Sequence, residues 1–290
     1  MEFKGRVVSI VRRKGSAIKM MNDKKRQEVY KILITPIRCT SYSNGKPIIT
    51  MANSVIETTQ TYWPQYLDKD TGKRFRYSFN PDCDMSDFAC GFYEIVYKDI
   101  LDGINLIDDD GNLTNQNFAG DTMNSFNYIA NITPGAGKST KQRTDQREWP
   151  EYLKQYYKEY HCLANFWILP MEIGRKVNNK WCKGSYDNKV QDYMDRFLKL
   201  LKDNFSEYKT LYRNYFSNIN CIEGFTEVHF LFGSYLYGNL DIFGLSNNNC
   251  DGEVIINKIQ DRIKLRATMI SKSYYAEQLW NYFNELHLFE

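Results

Sequence analysis

Two prolines, Pro150 and Pro170, bracket the stretch that most restricts how this chain can fold, the densest aromatic run in the sequence. Pro150 suits a first helical turn, where its missing N–H costs nothing. Apolar or aromatic residues then recur at Leu153, Tyr156, Tyr157, Tyr160, Ala164 and Trp167, at spacings of three and four. That spacing predicts a single helix running to the second proline. Pro170 forbids its continuation, and Gly174 supplies a flexible joint before Arg175. On such a helix His161 and Asn165, four apart, share a face, with Tyr157 one turn earlier. A buried imidazole or amide on an aromatic helix needs hydrogen-bond partners.

The rest of the chain reads mainly as helix. Residues 6–11 and 29–37 are rich in β-formers, and Asn44-Gly45 is a strong hairpin dipeptide. A small N-terminal sheet using 29–42 and 47–58 is expected. Ser86 caps a helix through about Leu101, in which Phe88, Phe92, Val96 and Ile100 recur every four residues. A shorter helix is expected at 121–131, and clearer ones at 187–203, 205–217, 252–270 and 274–288. Residues 224–245 fit helix or strand equally well. The fold class is therefore mainly α (α+β), a helical body with a small N-terminal β-hairpin or sheet.

The chain's 290 residues, 42% hydrophobic and 15% aromatic, suffice for a substantial core. No segment offers the ~18–20 uninterrupted apolar residues of a membrane span. Nor does the N-terminus carry the apolar run of a secretory signal. Seven scattered cysteines without a C-x-x-C pair fit reduced thiols in a cytoplasmic protein better than disulfides or zinc.

Charge divides unevenly. Residues 1–50 hold twelve Lys/Arg against three Asp/Glu, a net of +9, and residues 51–290 a net of −6. This suggests a basic arm, 1–50, on a mainly helical domain, 51–290. The arm points to nucleic acid or another polyanion as a partner. A solvated extension is the plainer reading.

Several motifs are decoys. Gly135-Ala136-Gly137-Lys138-Ser139-Thr140 mimics a phosphate-binding loop, but Ile132 stands where its first glycine belongs. Lys138, Lys141 and Arg143 keep the capacity to meet a phosphate. Gly233-Ser234 with Asp241 echoes nucleotidyltransferases, yet Phe243 replaces the second carboxylate that two-metal chemistry requires. Asp68/Asp70 and Asp108/Asp110 lack the glycine and glutamate of a calcium loop. No metal site or cofactor is implied.

What remains is a constellation. His161 suits a general acid or base, Asn165 an orienting role, and Arg175 an anion clamp. Tyr157 or Trp167 suits stacking on a base. The competing structural reading has His161 bonded to a backbone carbonyl and Arg175 paired with a carboxylate such as Glu172. The Arg-x(4–6)-His spacing of helical ribonucleases precedes none of the three histidines.

Tyr160-His161-Cys162-Leu163-Ala164-Asn165-Phe166-Trp167, with Leu169-Pro170 and Gly174-Arg175 behind it, resembles a block in a family of proteins from low-GC bacteria and their mobile elements. That family is catalogued as a domain of unknown function. The resemblance spans at most 120–240 and implies a bacterial or mobile-element context without implying an activity or cofactor. Two functions are thus expected. One is a non-enzymatic binding or regulatory module, engaging a nucleic acid or a protein partner. The other is a metal-independent enzyme acting on RNA or a nucleotide through His161 and Arg175.

Overall fold

The computed structural model describes residues 21–43, 46–51, 54–57, 66–67, 74–75, 84, 86–102, 106, 118–126, 129, 149–170, 193–231 and 252–289. Its first element is a helix where the sequence reads as strand. The Asn22 side chain caps α1 (Asp23–Ile34) by accepting from the Lys25 N–H at 2.8 Å. Val29, Ile32 and Leu33 form its buried face, against the long helix α8 and the last helix α9 described below. Three- and four-residue spacing met by two helical surfaces overrides the β preference of Val and Ile. Lys25 sits 3.4 Å over the ring of Trp280, whose indole N–H donates to Glu28 at 2.8 Å. This helix, with Ile37 after it, places part of the basic N-terminal segment in the core. A cut at residue 50 would strip Val29, Leu33 and Ile37, all fully buried, from that core.

The N-terminal sheet forms as expected, from β1 (Ile37–Ser43), β2 (Lys46–Met51) and β3 (Ser54–Glu57), antiparallel in that order. Ser43 pairs with Lys46, and Asn44-Gly45 between them lies outside the described residues. A second small pair is β4 (Tyr66–Leu67) with β5 (Arg74–Phe75).

Ser86 caps α2 (Asp87–Val96), its hydroxyl accepting from Ala89 N–H at 3.2 Å, and α3 (Lys98–Leu101) follows. Next comes β6 (Phe118–Thr122), whose last two residues, Asp121 and Thr122, fall where the sequence suggested the start of a helix. It pairs antiparallel with β7 (Phe166–Pro170), from Phe118↔Pro170 to Thr122↔Phe166. Of the helix expected at 121–131, Phe126 and Ile129 are helical, the Ile129 N–H reaching the Ser125 carbonyl at 3.0 Å, while 127, 128, 130 and 131 lie outside the described residues.

The helix from Pro150 is likewise shorter than its spacing suggested. It ends as α4 (Glu151–Glu159), and a 3-10 turn (Leu163–Asn165) leads into β7. The physical reason lies in the acceptors. The carbonyls of Leu163 and Ala164, which a continuing helix would pair internally, are instead taken by the Arg266 guanidinium. Phe-Trp-Ile-Leu is also β-favouring and buried on both faces.

The remaining helices are α5 (Met194–Asp203), α6 (Phe205–Leu211), α7 (Ile222–Val228), α8 (Gly252–Lys272) and α9 (Ala276–Glu285). Phe197, Leu198 and Leu201 of α5 are sealed at the expected spacing. The expected 205–217 helix stops at Leu211. Among the described residues no helix is long and apolar enough to cross a membrane. The molecule is mainly helical with small antiparallel sheets, as the sequence indicated.

Two helices end in the same way. The Leu231 N–H reaches the Thr226 carbonyl (2.7 Å) behind α7, and the Leu288 N–H reaches the Phe283 carbonyl (3.1 Å) behind α9. Phe230 (φ 57°) and His287 (φ 55°) occupy the left-handed positions that glycine favours. Because His287 is exposed, His287→Gly should stabilise the protein by about 0.5–1 kcal/mol. A rise of roughly 2 °C in Tm would show it, and a fall would mean that the imidazole contributes more than its backbone strain costs.

Candidate functional site

The Pro150 carbonyl starts α4 by accepting from the N–H groups of Leu153 (3.0 Å) and Lys154 (3.1 Å). Leu153 and Tyr156 face the core. Tyr157 faces out, 37% exposed. Around it stands an aromatic cluster. Phe126, buried, lies 4.9 Å from the Tyr157 ring and 5.1 Å from Trp149, and Trp149 meets Tyr157 edge-on at 5.5 Å. Tyr160 stacks on Tyr157 at 6.4 Å. Among the described residues the Trp149 indole N–H finds no hydrogen-bond partner. Lys154, Tyr157 and Lys158 follow at i, i+3 and i+4 on α4, so cations flank the exposed ring. Lys154 also pairs with Glu151 at 3.6 Å.

His161 is half-buried at the exit of α4, clasped twice to the start of β1. Its carbonyl accepts from the Ile37 N–H at 2.8 Å, and its Nδ1 lies 3.1 Å from the Ile37 carbonyl. A carbonyl only accepts, so Nδ1 carries the proton. The ring packs edge-on against Phe166 at 4.7 Å.

Asn165 does not share a helical face with His161, because the helix has ended before it. Its side chain is completely buried. Nδ2 donates to the Asn124 carbonyl (3.1 Å) and the Tyr160 carbonyl (2.7 Å), while Oδ1 accepts from Asn124 Nδ2 (3.3 Å). Asn165 therefore joins the end of α4 to β6. Trp167 is also fully buried, edge-on to Phe197 at 5.1 Å and His229 at 5.3 Å. It cannot stack on an incoming base without opening the core. Arg175, Lys138, Lys141 and Arg143 lie outside the described residues.

The largest polar assembly among the described residues was not singled out from the sequence. Arg266 of α8, 2% exposed, donates through Nε to the His229 carbonyl (2.9 Å). Its Nη1 donates to the carbonyls of Leu163 (3.4 Å), Ala164 (2.8 Å) and Phe166 (3.0 Å), and Nη2 to the Tyr97 hydroxyl (2.7 Å). His229, fully buried, has Nδ1 3.1 Å from that hydroxyl and Nε2 2.7 Å from the Tyr215 hydroxyl. Tyr215 in turn donates to the Ile168 carbonyl at 2.9 Å. Burial, and then the Arg266 charge, hold the His229 imidazole well below its ordinary 6.5. Burial raises the Tyr97 phenol, with Arg266 opposing. Burial also pushes the Cys162 thiol up to about 12. A second arginine on the same stripe, Arg262, pairs with buried Asp195 at 2.6 Å. The legible signal was positional: Arg262 and Arg266 occupy the apolar face of α8, between Ile259, Ile263 and Ile270.

These groups are chemically capable but inward-facing, serving as polar mortar. The outward-facing chemistry is aromatic, centred on Tyr157, with His161 at its margin. Comparison of the chain with protein-family models, curated proteins and solved structures finds no match.

Proposed function

We propose that the chain is a non-enzymatic binding module that takes a single-stranded nucleic acid on the aromatic surface of α4, aided by the basic segment 1–50. The exposed Tyr157 ring, with Lys154 and Lys158 beside it, carries this reading. A π-face between cations suits a base and its flanking phosphates. The inward commitment of Asn165, Arg266 and His229 supports binding over catalysis, since their donors and acceptors are already engaged within the fold. Free thiols at Cys90, Cys162 and Cys221 support a reducing, cytoplasmic setting. The block at 160–175 supports a bacterial or mobile-element context.

Fluorescence anisotropy with a labelled single-stranded oligonucleotide tests the proposal. Tyr157→Ala should weaken binding by about tenfold, within the ~1–3 kcal/mol that one stacked base contributes. Reversing the charges of Arg12, Arg13 and Lys14 should flatten the salt dependence. Absence of binding, or an unchanged Tyr157→Ala variant, would refute it.

One observation favours the enzymatic alternative, in which His161 and Arg175 act on RNA or a nucleotide. The Ile37 carbonyl fixes the tautomer and orientation of His161, as an acid–base group requires. Turnover of labelled RNA or nucleotide that is lost in His161→Ala would establish that reading in place of binding.

A further inference from the structure

The directions of the hydrogen bonds around His229 can be assigned one by one. The Ile168 carbonyl accepts, so Tyr215 spends its only proton there and must accept from His229 Nε2–H. That leaves Nδ1 as the acceptor of this neutral ring. Arg266 donates to the Tyr97 oxygen, so the Tyr97 proton points at Nδ1. The relay runs one way: Arg266 N–H to Tyr97 O–H to His229 to Tyr215 O–H to Ile168. Together its members hold four carbonyls of one segment, those of Leu163, Ala164, Phe166 and Ile168.

We propose that this relay is an acid-sensitive latch on residues 163–168, which closes when His229 is neutral and opens when the ring takes a proton. The added proton must go to Nδ1, where the Tyr97 O–H already points. Two donors then face each other. Tyr97 cannot turn its proton toward Arg266, because every guanidinium nitrogen there is also a donor. Among the described residues, the titratable or charged groups facing the ring are Tyr97 at the C-terminal end of α2, Tyr215 from the segment after α6, and Arg266 from α8. Trp167 of β7 and Phe225 of α7 complete its walls. No carboxylate among these groups compensates a second cation beside Arg266. The segment must therefore part from its donors for the ring to be hydrated.

The sign follows from the lowered affinity of the folded ring for a proton. The unfolded or opened ring binds a proton below about 6.5, whereas the latched ring does not. The latch is at full strength above that pH and weakens as pH falls, by up to about tenfold in its opening equilibrium per pH unit. The proposal does not depend on what Tyr157 binds.

Amide hydrogen exchange of 163–168 in the full chain, corrected for intrinsic rates and compared at about pH 7 and pH 5, tests it. Protection should fall by about tenfold or more across that interval. His229→Gln, whose amide can accept from Tyr97 and donate to Tyr215 without titrating, should remove this loss. His287→Gln, at the exposed histidine behind α9, should retain it. Equal protection of the parent at both pH values, or a parent-like loss in His229→Gln, overturns the latch. If His229→Gln does not fold, the histidine ring signals of the parent decide. A His229 resonance that stays neutral until 163–168 opens supports the proposal. Reversible titration of that ring near 6.5 with protection intact overturns it.

Discussion

Arg266→Met should destabilise the protein by about 4 kcal/mol, read as a lower urea midpoint at unchanged slope. The variant leaves the carbonyls of Ala164, Phe166 and His229 without the donor that now reaches each of them, while that of Leu163 keeps the Phe166 N–H. An orphaned buried acceptor costs about 1–3 kcal/mol. The simple sum overstates the loss, because Met also removes a buried cation whose five partners are all neutral, and whose desolvation is itself unfavourable. The acceptors prevail because they are spread over two chain segments that a thioether cannot serve. Arg266→Lys should fall between, at about 2 kcal/mol, since an ammonium keeps the charge but lacks the planar fork. A Lys variant less stable than Met would show instead that the buried charge, and not the set of carbonyls, dominates this site.

Gly120→Ala is the second large effect, at about 3 kcal/mol. A Cβ at this position of β6 would fall within the van der Waals envelope of the Asp84 carbonyl and 2.8 Å from the Tyr93 hydroxyl. Neither can yield easily. Tyr93 donates to that same carbonyl at 2.9 Å, and the Asp84 carboxylate accepts from Thr122 at 3.2 Å, so the backbone is tied on both sides. Gly91→Ala is the natural control. Its Cβ would meet the ring end of Tyr282, 2.5 Å from the hydroxyl, the far end of a half-buried side chain whose hydroxyl bonds the Phe88 carbonyl at 3.1 Å. The gain in helix propensity, about 1 kcal/mol, offsets the displacement of that ring. A thermal or urea midpoint for Gly91→Ala close to the parent, beside a large drop for Gly120→Ala, would confirm that backbone proximity sets the cost.

The sequence announced the helices best where a cap or a long apolar stripe marks them. Ser86 with Phe88, Phe92 and Val96 is one case, and the α8 run from Ile255 to Ile270 is another. It misled where tertiary partners decide. Val29 to Ile34 has the composition of a strand but finds two helices to pack on. Ala164 and Trp167 continue a helical spacing but lie beyond the point where Arg266, a hundred residues onward, claims the carbonyls. The strand at Phe118–Thr122 depends on a partner in a distant segment, and nothing local distinguishes it from a helix start. The candidate site was legible in part: Tyr157 and His161 are accessible, whereas Asn165 and Trp167 are core. Polar residues on an apolar helix advertise equally a ligand and an internal bond. Only the partners of Asn165 and the walls around Trp167 separate the two.

The two-stranded ribbon formed by β6 and β7 has a consequence for self-association. The Asn165 carbonyl turns toward the β6 side, to Met123 N–H at 2.7 Å, so those of Phe166 and Ile168 face the opposite way, toward Arg266 and Tyr215. A strand margin ordinarily offers its acceptors to any passing polypeptide. Here two acceptors of that rim are already engaged by a guanidinium and a phenol, which withholds them from a second molecule and narrows one route to fibrous aggregation.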